Sequence, residues 1–127
     1  MKECISQNEI KILVGRNAKE NDTLTLNADP SHYWMHVSNV PGSHVVICAT
    51  DVDADTKRDA AALAVKYSAI PRAKKATVDF CQVRQVRKSQ KTKHYGQVEI
   101  NGEYTVLTVF INKEQPRLSR LLAVEGT

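Results

Sequence analysis

The sequence predicts an α+β fold: a mainly antiparallel sheet with one principal helix and a short C-terminal helix. Three observations carry this. Several short segments alternate polar and apolar residues, one Ala-rich segment has helical spacing, and turn-type pairs such as Pro41-Gly42 and Asn101-Gly102 link strand-like runs. At 127 residues the chain fits a single domain spanning residues 1–127, long enough to bury its own core.

Glu9 to Val14 alternates, with Ile10, Ile12 and Val14 sharing one side, and reads as a half-buried first strand ended by Gly15. Arg16 to Asp22 is a polar elbow whose asparagines and aspartate suit turns or a helix start. Leu24 to Leu26 extends it as a short ordered segment before Asp29-Pro30, whose proline discourages helix in front of it. Tyr33 to Val37 and Ser43 to Ala49 form a hairpin about Pro41-Gly42. Period-two geometry places Trp34, His36 and Ser38 on one face, and His44 and Val46 on one face of the next strand, so the two histidines sit across the hairpin if the register allows.

Thr56 to Ala69 is the principal helix. Asp55 or Thr56 caps it, Asp59 stands where a capping box wants an acid, and Ala60, Leu63, Ala64 and Tyr67 form a buried stripe. Asp51, Asp53 and Asp55 suit the positive end of its dipole, and Pro71 stops it. The three acids lack the glycine and terminal glutamate of a calcium loop. Thr77 to Val86 alternates as one strand and leads into a basic loop, Arg87 to Lys93. Gln97–Ile100 and Glu103–Ile111 read as a second hairpin about Asn101-Gly102, and Pro116 to Leu122 as the last helix.

Charge is uneven. Arg72 to Lys93 holds eight basic residues against one acid, Asp79, so this stretch carries +7 and the remainder −3 in a chain whose net charge is +4. Such a stripe attracts phosphate backbones and makes binding salt-dependent. The bland alternative is a solvated loop that keeps the protein soluble, and attraction of phosphate does not separate RNA from DNA. Cys4, Cys48 and Cys81 are too scattered for a disulfide framework or a zinc knuckle, and Cys48 and Cys81 read as small strand hydrophobes. No apolar run is long enough to span a bilayer and the N-terminus lacks a signal-peptide core, so a cytoplasmic protein with no membrane insertion is expected.

The candidate nucleic-acid contacts are Arg16, Asn17, Asn21, Trp34, His36, Ser43, His44, Lys74, Lys75, Arg84, Arg87, Lys88, Lys91 and Lys93, with Tyr95 as a stacking residue. Arg16 offers a planar fork to phosphate or a base edge, against a bland alternative in which it pairs with Asp22 while the asparagines cap a turn. An exposed Trp34 would stack an unpaired base, worth roughly 1–3 kcal/mol, but burial is the favoured reading. Gly42-Ser43 supplies donors for a phosphate nest or merely a turn. His36 and His44 lack a third metal ligand, so no metal, cofactor or catalytic residue is assigned.

Gly15-Arg16-Asn17 through Asn21-Asp22, then Tyr33-Trp34-Met35-His36-Val37 and Pro41-Gly42-Ser43-His44-Val45-Val46, stand in an order that resembles the NFACT-R domain of ribosome-quality-control factors and bacterial fibronectin-binding protein A homologues. The resemblance runs from about Glu9 to Leu122. It implies a non-catalytic RNA-binding domain whose partners are tRNA or ribosomal RNA and the large ribosomal subunit. The family's separate N-terminal domain and coiled coil have no counterpart in the sequence, which reads as the module on its own. Two other classes remain open: a protein-interaction module docking on a ribosomal or membrane-associated partner, and, ranked last, an RNA-modifying or phosphoester enzyme using His36, His44 and Arg16. Oligomeric state is not legible from these residues.

Overall fold

The computed structural model describes residues 1–70, 73–91 and 96–123. Its strands are β1 (Lys2–Ile5), β2 (Lys11–Val14), β3 (Tyr33–Val37), β4 (Val45–Ile47), β5 (Lys75–Gln82), β6 (Val86–Lys88), β7 (Val98–Ile100) and β8 (Thr105–Phe110). The helices are α1 (Ala18–Asn27), α2 (Ala54–Lys66) and α3 (Gln115–Ala123). Six strands form one sheet in the order β1-β2-β4-β3-β5-β8, every pairing antiparallel, while β6 and β7 form a separate ribbon. The expected α+β class with a principal and a C-terminal helix is what the chain adopts.

Alternation along the strands gives the sheet two different faces. One carries Ile12, Val14, Met35, Val37, Val45, Ile47, Val78 and Phe80 against α2 and against Leu118 and Leu121 of α3. Ala60 to Val65 of α2 are all buried, because the short alanine side chains let the helix settle close to the sheet. Tyr33 stacks on Phe80 on this face, with ring centroids 5.2 Å apart. The other face carries Trp34, Val46 and Cys81, covered by Leu24 of α1 and by Val86, Val98 and Ile100 of the ribbon. Burial pushes the Cys81 thiol up to about 12, so it behaves as the small hydrophobe expected of it.

Several elements differ from the sequence reading. β1 was not anticipated; it pairs with β2 across a turn at Ser6–Ile10 in which Glu9 adopts a left-handed φ of 65°. The polar elbow is the start of a full ten-residue helix, since Leu24 packs on the second cluster and supplies the burial that its polar sequence hides. Asp53, two residues before the expected cap, caps α2 by accepting from the Thr56 N–H at 3.0 Å. The strand expected over Thr77–Val86 breaks at a 3-10 turn over Val83–Gln85, which drops Val83 into the second cluster. Asn101-Gly102 is a turn, with Gly102 at φ 89°, but its flanking strands separate. β7 folds back on β6 to bury Val98 and Ile100, β8 pairs with β5, and Gln85 clips the crossing by donating to the Asn101 and Glu103 carbonyls. Pro71 lies outside the described residues.

Asp59 is no capping-box acid. Fully buried, it receives the guanidinium groups of Arg117, at 2.9 Å, and Arg120, and the N–H of Gln7 at 3.0 Å, so one carboxylate ties α2, α3 and the β1–β2 turn together. Removing it takes a shared buried acceptor from two guanidinium groups and the Gln7 N–H, leaving the largely buried Arg117 with only Asp55 and Glu114. D59A is expected to lower stability by about 3–5 kcal/mol in urea unfolding, and a loss under about 1 kcal/mol would contradict this clamp.

Candidate nucleic-acid interface

Beside the second face lies a cleft of about 770 Å³. Its walls come from the start of α1 (Arg16, Asn17, Asn21), the end of β3 and the turn after it (His36, Asn39 to His44), Asp79 of β5, and the ribbon from Gly96 to Ile100. Widely separated parts of the sequence motif therefore converge on one concavity.

Local chemistry explains each wall. Asn17 caps α1, its Oδ1 accepting from the Glu20 N–H at 2.9 Å, and Glu20 returns to the Arg16 N–H at 3.0 Å. Glu20 also holds the Arg16 guanidinium at 2.8 Å, where the sequence reading set Asp22 as the alternative partner, and this contact brings its own carboxyl down to about 2. Arg16 stays 64% exposed at the cleft. Asn21 is buried: its Oδ1 accepts from the His44 N–H at 3.0 Å and its Nδ2 donates to the Gly42 carbonyl at 3.4 Å, tying α1 to the β3–β4 turn. A β-carbon on Gly15 would collide with that amide, so the chain needs glycine there.

His44 lies opposite His36 by continuation of the β3–β4 register, as expected, and their rings meet edge to face with centroids 5.5 Å apart. It is 1% exposed. Its Nε2 faces the Gly96 carbonyl at 3.2 Å, an acceptor only, so the proton sits on Nε2. Nδ1 then accepts from the Thr25 hydroxyl at 2.7 Å, and Thr25 in turn accepts from the Trp34 indole N–H at 3.1 Å. Gly96 reaches this position at φ 78°, and its N–H donates to Asp22 at 2.9 Å while Lys88 binds the other Asp22 oxygen at 2.7 Å. One unbroken chain of hydrogen bonds thus links sheet, helix and ribbon around a neutral imidazole. Burial, and next the neighbouring His36, lowers His44 to about 4. Burial also lowers His36, against the pull of Asp79 and nearby backbone.

The sequence-predicted residues fall into distinct places. Arg16, Asn17, Asn21, Trp34, His36, Ser43 and His44 all line the cleft. Trp34 is 2% exposed and forms its floor. The Ser43 N–H is taken by the Tyr67 carbonyl at 3.0 Å, so it is not a backbone donor for a ligand in the cleft. The basic stripe divides. Lys74 and Lys75 stand at one end of β5, whose eight residues span roughly 25 Å, and Arg84 at the other, its Nε donating to the Pro30 carbonyl. Arg87 points outward beside Glu99, Lys88 is bound to Asp22, and Lys91 is exposed. Lys93, Tyr95 and Arg72 lie outside the described residues. Thr25, Asn39, Asp79 and Gly96 belong to the site or its support without having been singled out. Asp79 alone carried a signal, as the single acid in the basic run.

An α+β domain with a motif-lined cleft between helix, sheet and ribbon defines the class. The chain belongs to the NFACT protein RNA binding domain family, whose model matches residues 4–105. It is 34% identical over 102 residues to the Rqc2 homolog RqcH of Bacillus subtilis, covering 80% of this chain and 18% of that protein. It is 36% identical over 97 residues to the Rqc2 homolog RqcH of Streptococcus suis, covering 75% of this chain and 17% of that one. The chain therefore spans less than a fifth of these relatives. The structure of the C-terminal part of the fibronectin/fibrinogen-binding protein from Streptococcus suis matches 94% of this chain and 48% of its own, with a TM-score of 0.84 at 28% identity.

The neutral His44 makes stability pH-dependent. Its folded value is depressed below the unfolded value of about 6.5, so the unfolded chain binds the extra proton first. The contribution is complete above about pH 6.5 and is lost as pH falls towards 4. Urea unfolding is expected to lose up to roughly 3 kcal/mol over that window, a slope that H44Q flattens.

Proposed function

We propose that this chain is a non-catalytic RNA-binding domain that engages tRNA or ribosomal RNA in a ribosome-quality-control setting, in the cytoplasm and in the company of the large ribosomal subunit. The observation that carries the reading is the convergence of Arg16, Asn17, His36 and Ser43 on one cleft. Lys75 lies on the same sheet face as Asp79, farther along β5, and Lys91 is exposed. Exposed cations suit a phosphate backbone, which positions a nucleotide for closer contacts. Membership of an RNA-binding family and likeness to the Rqc2 homologs support the assignment and its setting.

The test is a titration of the purified chain with labelled tRNA, duplex DNA of similar length and an unstructured RNA at two salt concentrations. Salt-sensitive binding that prefers tRNA is the expected result, and equal weak binding to all three would overturn it. Lys75→Glu with Lys91→Glu should weaken RNA binding about tenfold and reduce the salt slope by roughly one to two. Lys88 is unsuitable for such a reversal, because a glutamate there would face Asp22.

A second reading has its own observation. Tyr104, Val106 and Phe110 are each about half exposed, and the β5–β8 register puts Val106 and Phe110 on the cleft face of the edge strand. An apolar stripe of this kind suits a protein partner. V106K would then weaken salt-insensitive protein capture while leaving the RNA titration unchanged.

A further inference from the structure

We propose that the cleft receives one unpaired guanine base, with Asp79 accepting from its N1–H and N2–H edge and His36 lying against its ring. The inference rests on the RNA-binding reading and narrows it to a base and a wall. Three observations carry it.

The cleft has the volume of a small-ligand pocket, a class that runs from about 300 to 1,000 Å³. Its charges are wrong for a phosphate. Among its described lining residues Asp79 is the one carboxylate and Arg16 the one fixed cation, and Arg16 is already neutralised by Glu20. A carboxylate in the wall repels phosphate and favours N–H donors, so the phosphates belong with the exposed lysines outside.

Asp79 is also held ready. Its Oδ1 accepts from the Ser38 hydroxyl at 2.6 Å, which leaves Oδ2 with no partner among the described residues. A carboxylate best satisfies two adjacent parallel donors. Guanine presents N1–H beside N2–H, whereas adenine and cytosine each set a donor beside an acceptor, and uracil sets one donor between two carbonyls. The carboxylate therefore selects guanine.

The third observation is the ring beside it. His36 stands directly opposite Asp79 across the β3–β5 pair and lies nearly parallel to Trp34, at 15° with centroids 5.9 Å apart. Trp34 is buried and His36 half-buried at the cleft. The imidazole thus extends a stack, and the proposal seats the base as its next layer.

The test follows the Asp79 amide and the His36 ring by NMR while the full chain is titrated with guanosine, inosine or adenosine 5′-monophosphate, or with ribose 5-phosphate. The guanosine nucleotide should move both signals. The inosine nucleotide, which lacks the N2 amine, and the adenosine nucleotide should bind about tenfold more weakly, and ribose 5-phosphate should leave both signals still. D79N, with an unchanged amide spectrum elsewhere, should lose the preference for guanosine over inosine. Equal responses to all four probes, or none to the guanosine nucleotide, overturn the proposal. The tRNA titration run alongside separates the two readings. RNA binding without a guanosine response removes the guanine site and leaves the RNA function. A guanosine response without RNA binding leaves the site and removes that function.

Discussion

The imidazole of His44 is held between a hydroxyl and a carbonyl, and the site depends on that placement. Its partners come from α1, through Thr25 and Asn21, and from the ribbon, through Gly96. Neither element belongs to the strand ladder of the six-stranded sheet. Apolar packing of Leu24, Val98 and Ile100 holds them against it, but such packing is non-directional. The polar chain supplies direction: with its proton confined to Nε2, His44 accepts one partner and donates to the other, and that sets how helix and ribbon stand apart. The cleft is the space left between them.

This division of labour changes how the motif reads. Most of its polar residues bond within the fold: Asn17 caps, Asn21 clamps, Asp22 anchors Gly96 and His44 bridges. Arg16 and His36 line the cleft together with Asn17 and Ser43. A string of residue types suited to RNA contact is largely a string of residues that build a shape.

Much of the fold was legible because its signals are local. Period-two alternation in Tyr33–Val37 and the alanine run of α2 each name their element without reference to the rest of the chain. What escaped was decided at a distance. α1 is polar along most of its length and becomes a helix through one buried leucine and its tertiary bonds. Asn101-Gly102 signals a turn correctly, but which strands pair across it depends on where Val98 and Ile100 find apolar surface. The site followed the same rule. The placement of His36 and His44 could be read from one hairpin, whereas Asp79, Thr25 and Gly96 join them only once the sheet and ribbon are assembled. The basic stripe, continuous in sequence, is spread along the length of a strand and then over a separate ribbon.

The walls of the cleft are drawn from residues 16 to 100, and the Gly96–Asp22 bond spans 74 positions. No contiguous fragment owns the cavity. Contacts of such high sequence separation close late, after the entropy of the intervening loops has been lost. A chain with its secondary structure formed but its ribbon undocked would have the cations and lack the concavity, and would attract polyanions without discriminating among them. The concavity is in this sense a late product of folding, and any ligand that fills the cleft draws the equilibrium towards the fully docked state.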